Sequence, residues 1–245
     1  MRIAIRAGHS LDVRGARGII DEVDENRKIT AKVVEYLKGL GHEVLDVTPT
    51  KSRLSFLDLS IPVSKANKWG ADVFASIHLN AGGGHGSEVL YVSTKGSQYA
   101  TKVVNKLSSL GFTNRGAKRD VRGLYEFKKV KCPNIIVEVC FVDSADDCIL
   151  YKKLGVNAIA KAIAEGITGQ TVSEVPYFKG LLKLGSRGEE VRKLQVGLLN
   201  KGFNCGEIDG DFGPATLRAV KIFQAANGLK DDGLVGILTW TKLFS

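Results

Sequence analysis

No stretch of the sequence approaches the roughly 18 uninterrupted apolar residues of a membrane-spanning helix, so no membrane insertion is expected. The opening, "MRIAIRAGHS", has neither an apolar h-region nor a small-residue cleavage site. A product made in the cytoplasm without a secretory signal peptide is therefore expected, one that meets any outside target only after release. Cysteine is scarce. Cys132, Cys140, Cys148 and Cys205 show neither the short paired spacing of a zinc knuckle nor a CxxC motif, and Cys140 lies inside an apolar run, so reduced and mostly buried thiols are expected. The 35 Lys and Arg outnumber the 26 Asp and Glu, for a formal charge of +9. That balance suits a polyanion such as nucleic acid, an anionic wall polymer or a membrane surface. However, the sequence lacks a basic arm, and no aromatic residues are interleaved with its local clusters "KRDVR" and "KKVK". Nucleic acid is thus not expected as a partner, and a solubilising basic surface explains the charge more simply.

What is present is 245 residues at 44% hydrophobic, enough for a sizeable core and for two domains. From Met1 to Gly169, short β-rich runs alternate with helical ones, the signature of an α/β sheet. "RIAIRA", "HEVLDVT", "DVFASIHL", "SEVLYVST" and "NIIVEVCFV" read as strands. "NRKITAKVVEYLKGLG" spaces Ile29, Val33, Leu37 and Leu40 as one face of a helix, with Asn26 as its candidate cap. "VSKANKWG" reads as a helical end, "SQYATKVVNKLSSLG" as a helix, and "DDCILYKKLG" and "VNAIAKAIAEGI" as two more. Residues 170–180 lose periodicity and contain Pro176, which marks a linker between a domain over 1–169 and one over 181–245. The second domain carries an internal repeat: Asp209, Gly210, Gly213 and Thr216 answer to Asp232, Gly233, Gly236 and Thr239. Asp-Gly turns that feed short helices, with "EEVRKLQVGLLNKG" ahead of them, imply a compact three-helix binding module.

The chain has four histidines, and His9 and His78 both directly follow strand-like runs, where ligands bind in open α/β sheets. His42 sits in a helix-to-strand turn and His85 in a glycine-rich loop, where flexible backbone holds a ligand poorly. Carboxylates are supplied by Asp21, Glu22, Asp24 and Glu25 ahead of a helix and by Glu138 inside an apolar strand. The helix dipole accounts for two or three of the first group. Glu138 is harder to explain, because a buried carboxylate must be paired, neutralised or beside a metal. Two imidazoles and one carboxylate hold Zn²⁺ with one position open for water, and a second carboxylate outside the metal's ligands can move the proton. These are the ingredients of amide hydrolysis. Spacing alone leaves open which acid joins the histidines, and it also allows a phosphate-binding or purely structural site.

In this order, "AGHS", "EVDEN", "SIHLNA", "GSEVLY", "NRGAK" and "LYEFKKVKCPNIIVEVCF" resemble the zinc-dependent N-acetylmuramoyl-L-alanine amidases of the amidase-3 family. The resemblance implies a twisted mixed sheet flanked by helices, with Zn²⁺ on His9, Glu22 and His78 and with Glu138 as the catalytic acid and base. It also offers Asn80 and Arg115 as substrate contacts. The segment from "GSRGEEVRKLQ" to "DGLVGILTW" resembles the type 1 peptidoglycan-binding domain, which implies bacterial peptidoglycan as the partner. There Leu194, Phe212, Val220, Phe223 and Trp240 are expected in the core rather than on the ligand. The implied protein is a cell-wall hydrolase of the phage endolysin kind. The alternatives are a bacterial sporulation or autolytic amidase and a non-catalytic wall-binding protein.

Overall fold

The computed structural model describes residues 1–50, 55–172, 176 and 178–244, with Ser55 described by its backbone alone. The expected linker over 170–180 therefore falls partly outside the described residues. The chain divides into two compact units, Met1–Val172 and Ser173–Ser245. The first unit runs β1 (Arg2–Ala7), α1 (Glu22–Gly39), β2 (Glu43–Asp46), α2 (Ser55–Trp69), β3 (Val73–Asn80), β4 (Ser87–Tyr91), α3 (Thr94–Ser108), β5 (Asn114–Arg119), α4 (Tyr125–Lys129), β6 (Asn134–Phe141) and α5 (Ala145–Thr168).

The strands form one six-stranded sheet in the order β2-β1-β3-β6-β4-β5. Its pairs are parallel except for β4 against β6, which makes it the mixed sheet expected. One face carries Ile3, Ile5, Val73, Ile77, Ile135 and Val137 into the main core, shared with buried residues of α1, α3 and α5. Helices also cover part of the other face, where Ala4 and Phe74 pack with Ala66 of α2, and Ile136 and Leu90 pack with Phe127 of α4. With both faces buried, the central strands read as near-continuous apolar runs instead of alternating. The polar residues that share the second face, Arg6, Ser76, His78, Glu88 and Glu138, are therefore conspicuous.

Several expectations change. Asn26 does not cap α1. The helix starts at Glu22, and Asp21 caps it by accepting from the backbone N–H groups of Val23 and Asp24. The helical end "VSKANKWG" belongs to a longer α2 that contains Pro62. The two expected helices near 146–167 form a single element interrupted at Gly155, whose φ of 72° and ψ of 165° suit only glycine. Strand β5 and helix α4 lie where no element was expected. All four cysteines are free, with Cys132 half-buried and the other three buried.

The second unit holds α6 (Glu189–Asn200), α7 (Pro214–Ala226) and α8 (Ile237–Phe244), the three-helix module expected. Leu194, Phe212, Val220, Phe223 and Trp240 all lie in its core. The repeat has a physical explanation in two buried glutamines. Gln195 Oε1 accepts from the Gly210 N–H, and its amide donates to Asp209 and Thr216. Gln224 makes the same three contacts with Gly233, Asp232 and Thr239. Each Asp-Gly turn is thus bolted to the preceding helix by one side chain. No helix among the described residues is long and apolar enough to cross a membrane.

Candidate metal centre

His9 follows β1 by two residues, and it is the one non-glycine among the described residues with a positive φ, at 60°. Such a conformation is costly and has to be held by its surroundings. Helix α1 does the holding. Arg27 Nη2 donates to the His9 carbonyl at 2.9 Å, and Asn26 Nδ2 donates to the Gly8 carbonyl at 2.8 Å. Asn26 therefore pins the turn that aims His9.

Glu22 opens α1 and is almost fully buried. Its Oε2 accepts from the Ala16 N–H at 2.7 Å and lies 3.6 Å from His9 Nε2. Its Oε1 accepts from the Leu79 N–H at 3.2 Å and lies 3.0 Å from His78 Nδ1. The other nitrogen of His78, Nε2, is 3.0 Å from Ser76 Oγ, a contact that fixes the ring with Nδ1 facing Glu22. One ligand atom from each of His9, Glu22 and His78 lies within 4.8 Å of the others. A Cβ on Gly15 would sit 2.0 Å from Glu22 Oε2, and one on Gly8 would sit 2.2 Å from His78 Cε1. Glycines are thus needed for the backbone to approach the cluster. Burial and the neighbouring His78 lower the pKa of His9. Burial opposes charge on both partners of the Glu22–His78 pair, yet their hydrogen bond keeps Glu22 low and His78 high. Two imidazoles and one ionised carboxylate crowded together form a donor set whose chemistry fits Zn²⁺.

Glu138 stands directly opposite His78 across the β3–β6 pairing. Its Oε2 is buried without a hydrogen-bond partner. Burial pushes its pKa up to about 7, helped by the nearby charges of Glu22 and Glu88 and opposed by His78. One residue further the register shifts, so that Asn80 pairs with Phe141. The extra residue in β6 is a β-bulge, which turns Phe141 onto the same face as Glu138. Among the described residues, Asn80 and Arg115 make no hydrogen bond to the histidine cluster. They meet at Glu88, where Arg115 Nε donates to Oε2 at 2.7 Å and Asn80 Nδ2 donates to Oε1 at 3.3 Å. Of the other histidines, His42 lies near Gln170, and His85 offers only its backbone carbonyl to Arg115.

Two charged residues of this face escaped the sequence reading. Glu88 is buried, and it faces Glu138 in the antiparallel β4–β6 pairing. Arg6 is fully buried and donates from Nη1 to Glu126 Oε1 at 2.6 Å. The signal that singled out Glu138, a charge inside an apolar strand, is present at both positions, in "SEVLY" and "RIAIRA".

Residues 3–169 match the family described as N-acetylmuramoyl-L-alanine amidase, well over half of the chain. The chain belongs to the N-acetylmuramoyl-L-alanine amidase family. Residues 187–243 match a second family, the putative peptidoglycan binding domain. Among solved structures, the family resemblance includes the catalytic domain of the CD27L endolysin targeting Clostridia Difficile, at 35% identity and a TM-score of 0.67 over 71% of this chain and 99% of that one. An uncharacterized protein of Clostridium perfringens is 37% identical over 182 residues, 71% of this chain and 53% of that protein. The endolysin of Bacillus phage SPP1 is 32% identical over 173 residues, 66% of this chain and 62% of that protein. The chain spans about half the length of its Clostridium perfringens relatives.

Proposed function

We propose that this chain is a zinc-dependent N-acetylmuramoyl-L-alanine amidase that cuts peptidoglycan between the lactyl carbonyl of N-acetylmuramic acid and the L-alanine of the stem peptide. The observation that carries this reading is the His9–Glu22–His78 cluster with Glu138 opposite His78 in the next strand. His9, Glu22 and His78 would hold Zn²⁺, which when bound polarises a carbonyl and makes water more acidic. Glu138 Oε2, buried and unpartnered, is the atom that takes a proton from the attacking water and returns it to the departing alanine nitrogen. A carboxyl poised near neutrality can do both. Asn80 and Arg115 are assigned to binding the substrate beside it.

The catalytic domain is assigned to residues 1–169 and wall attachment to residues 181–245, joined by a linker over 170–180. Attachment raises the local concentration of substrate around the first domain. Likeness to two endolysins supports wall lysis of the endolysin kind. A non-catalytic wall-binding protein would have no reason to keep all four residues in this arrangement. The test is Glu138→Gln, assayed for zinc content and for clearance of wall suspensions. Full zinc with clearance lowered by about 10²–10⁴-fold supports the reading. Clearance at the wild-type rate with zinc retained removes Glu138 from the reaction.

A further inference from the structure

The basic run "KRDVR" and the buried Glu88 have no role in the reading above, and the structure joins them. Side chains alternate along a strand, so residues 115 and 118, three apart, belong on opposite faces of β5. The pairing between β4 and β5 shifts register, however: Ser87 is opposite Asn114, while Val89 is opposite Ala117. One extra residue is absorbed here, and Gly116 takes it up at a φ of 89°. A Cβ on Gly116 would meet nothing within 4 Å, so the glycine serves the backbone turn and not a close contact. The bulge brings Arg115 and Lys118 to the same target. Arg115 Nε and Lys118 Nζ each lie 2.7 Å from Glu88 Oε2. Two cations thus share one buried carboxylate, which leaves one positive charge in excess. Arg115 also sits over the Phe141 ring, its guanidinium carbon 4.8 Å from the ring centroid, on the residue that the β6 bulge turns to this face. Its Nη1 donates to the His85 carbonyl at 3.4 Å, and Nη2 has no partner among the described residues. Side-chain exposure is 31% for Arg115 and 43% for Lys118, against 12% for Glu88, so the cations and not the acid face solvent.

We infer that Arg115 and Lys118, held by Glu88, form a subsite for a carboxylate on the stem peptide, so that the enzyme selects stems whose residue after L-alanine bears a free carboxylate over those in which it is amidated. This rests on the amidase reading. Adjacent strands are about 4.8 Å apart. Because Glu88 pairs with Glu138 across adjacent strands and holds both cations, the cation tips stand about one to two strand spacings, roughly 5–10 Å, from Glu138. An extended peptide advances about 3.5 Å per residue, so a bond cut beside Glu138 puts the residue after alanine within reach. A guanidinium with its Nη2 N–H groups unused, braced by an aromatic ring and a buried acid, is suited to take a carboxylate. The neutral carboxamide offers no charge and places an N–H₂ against two cations.

The test uses the 245-residue chain loaded with zinc and two synthetic N-acetylmuramoyl peptides that differ only in a carboxylate or a carboxamide on the residue after alanine. The wild type is expected to cleave the carboxylate form with a kcat/KM at least tenfold higher, and added salt should narrow that ratio. Lys118→Gln and Arg115→Gln should each bring the ratio towards one. Equal cleavage of both peptides by the wild type, or a ratio that neither substitution moves, overturns the subsite while leaving the amidase reading intact. Cleavage of neither peptide at the muramoyl-alanine bond overturns the amidase reading and the subsite with it.

Discussion

Glu138 joins the proposed metal site to solution pH. Its ordinary value is 4.5, and in the folded chain burial and the nearby acids raise it to about 7. The folded state therefore binds this proton more readily than the unfolded state does. Its contribution to stability is fully present below about 4.5 and is lost as pH rises through about 7. Thermal melts of metal-free protein should show Glu138→Gln gaining on the wild type as pH rises across that window. A difference that is flat or shrinks with pH contradicts the assignment. At Gly15, a Cβ has to displace Glu22 Oε2 or the His9 ring. Gly15→Ala is expected to lower zinc affinity by about 10–100-fold, as disturbing the support of metal ligands does. Competition with a chelating dye measures it. The two histidines were conspicuous as residues that follow strand-like runs and Glu138 as a charge inside one, while their proposed roles came with the family resemblance. Glu88 and Arg6 break such runs too, but the ion pairs that make them tolerable come from distant segments: Arg115 and Lys118 for Glu88, and Glu126 for Arg6. A linear reading has no access to those partners.

Elements with strong periodicity were readable, and those shaped by tertiary partners were not. The apolar spacing of α1 identifies the helix, yet its start depends on which nearby polar residue reaches the free N–H groups. Asp21 does so, while Asn26 is committed to Gly8. Strand β5 carries "NRGAKR" at the end of the sheet order, where charged residues guard an open edge and no apolar alternation is needed. Helix α4 has five residues, too few for a periodic signal. The interruption at Gly155 has a measurable consequence. Its φ of 72° and ψ of 165° lie in a region nearly closed to other residues. Gly155→Ala should cost about 1–3 kcal/mol, seen as a lower midpoint in thermal unfolding. In the second unit, Gln195→Ala would strand the buried Gly210 N–H and leave Asp209 and Thr216 without their donor. A loss of about 1–3 kcal/mol is expected in urea titrations, and the equivalent loss at Gln224→Ala would show that both halves of the repeat use the same bolt.

For the whole molecule, the division into a unit with the proposed metal site and a helical unit predicts that the proposed attachment and cutting are separable. Removing residues 181–245 is expected to slow clearance of intact wall by about tenfold or more while leaving cleavage of a small soluble muropeptide unchanged, since tethering raises local concentration and not the chemistry. Equal loss on both substrates would argue against tethering. The formal charge of +9 adds a second handle. If anionic wall polymers assist attachment, clearance falls as salt rises towards levels that screen beyond about 10 Å, and salt-independent clearance removes that contribution. The two-unit organisation and the α/β class could be read from the sequence, because repeats, linkers and strand-helix alternation are local patterns, whereas the mixed sheet was implied only by the family resemblance. The convergence of Asn80, Arg115 and Lys118 on Glu88 could not, because two register shifts create it. The most direct measurement is mass spectrometry of peptidoglycan digested by the zinc-loaded protein. Free stem peptides that begin with L-alanine are expected, together with glycan strands whose muramic acid keeps a free lactyl carboxylate. Fragments cut between stem amino acids, with the muramoyl-alanine bond intact, would contradict it.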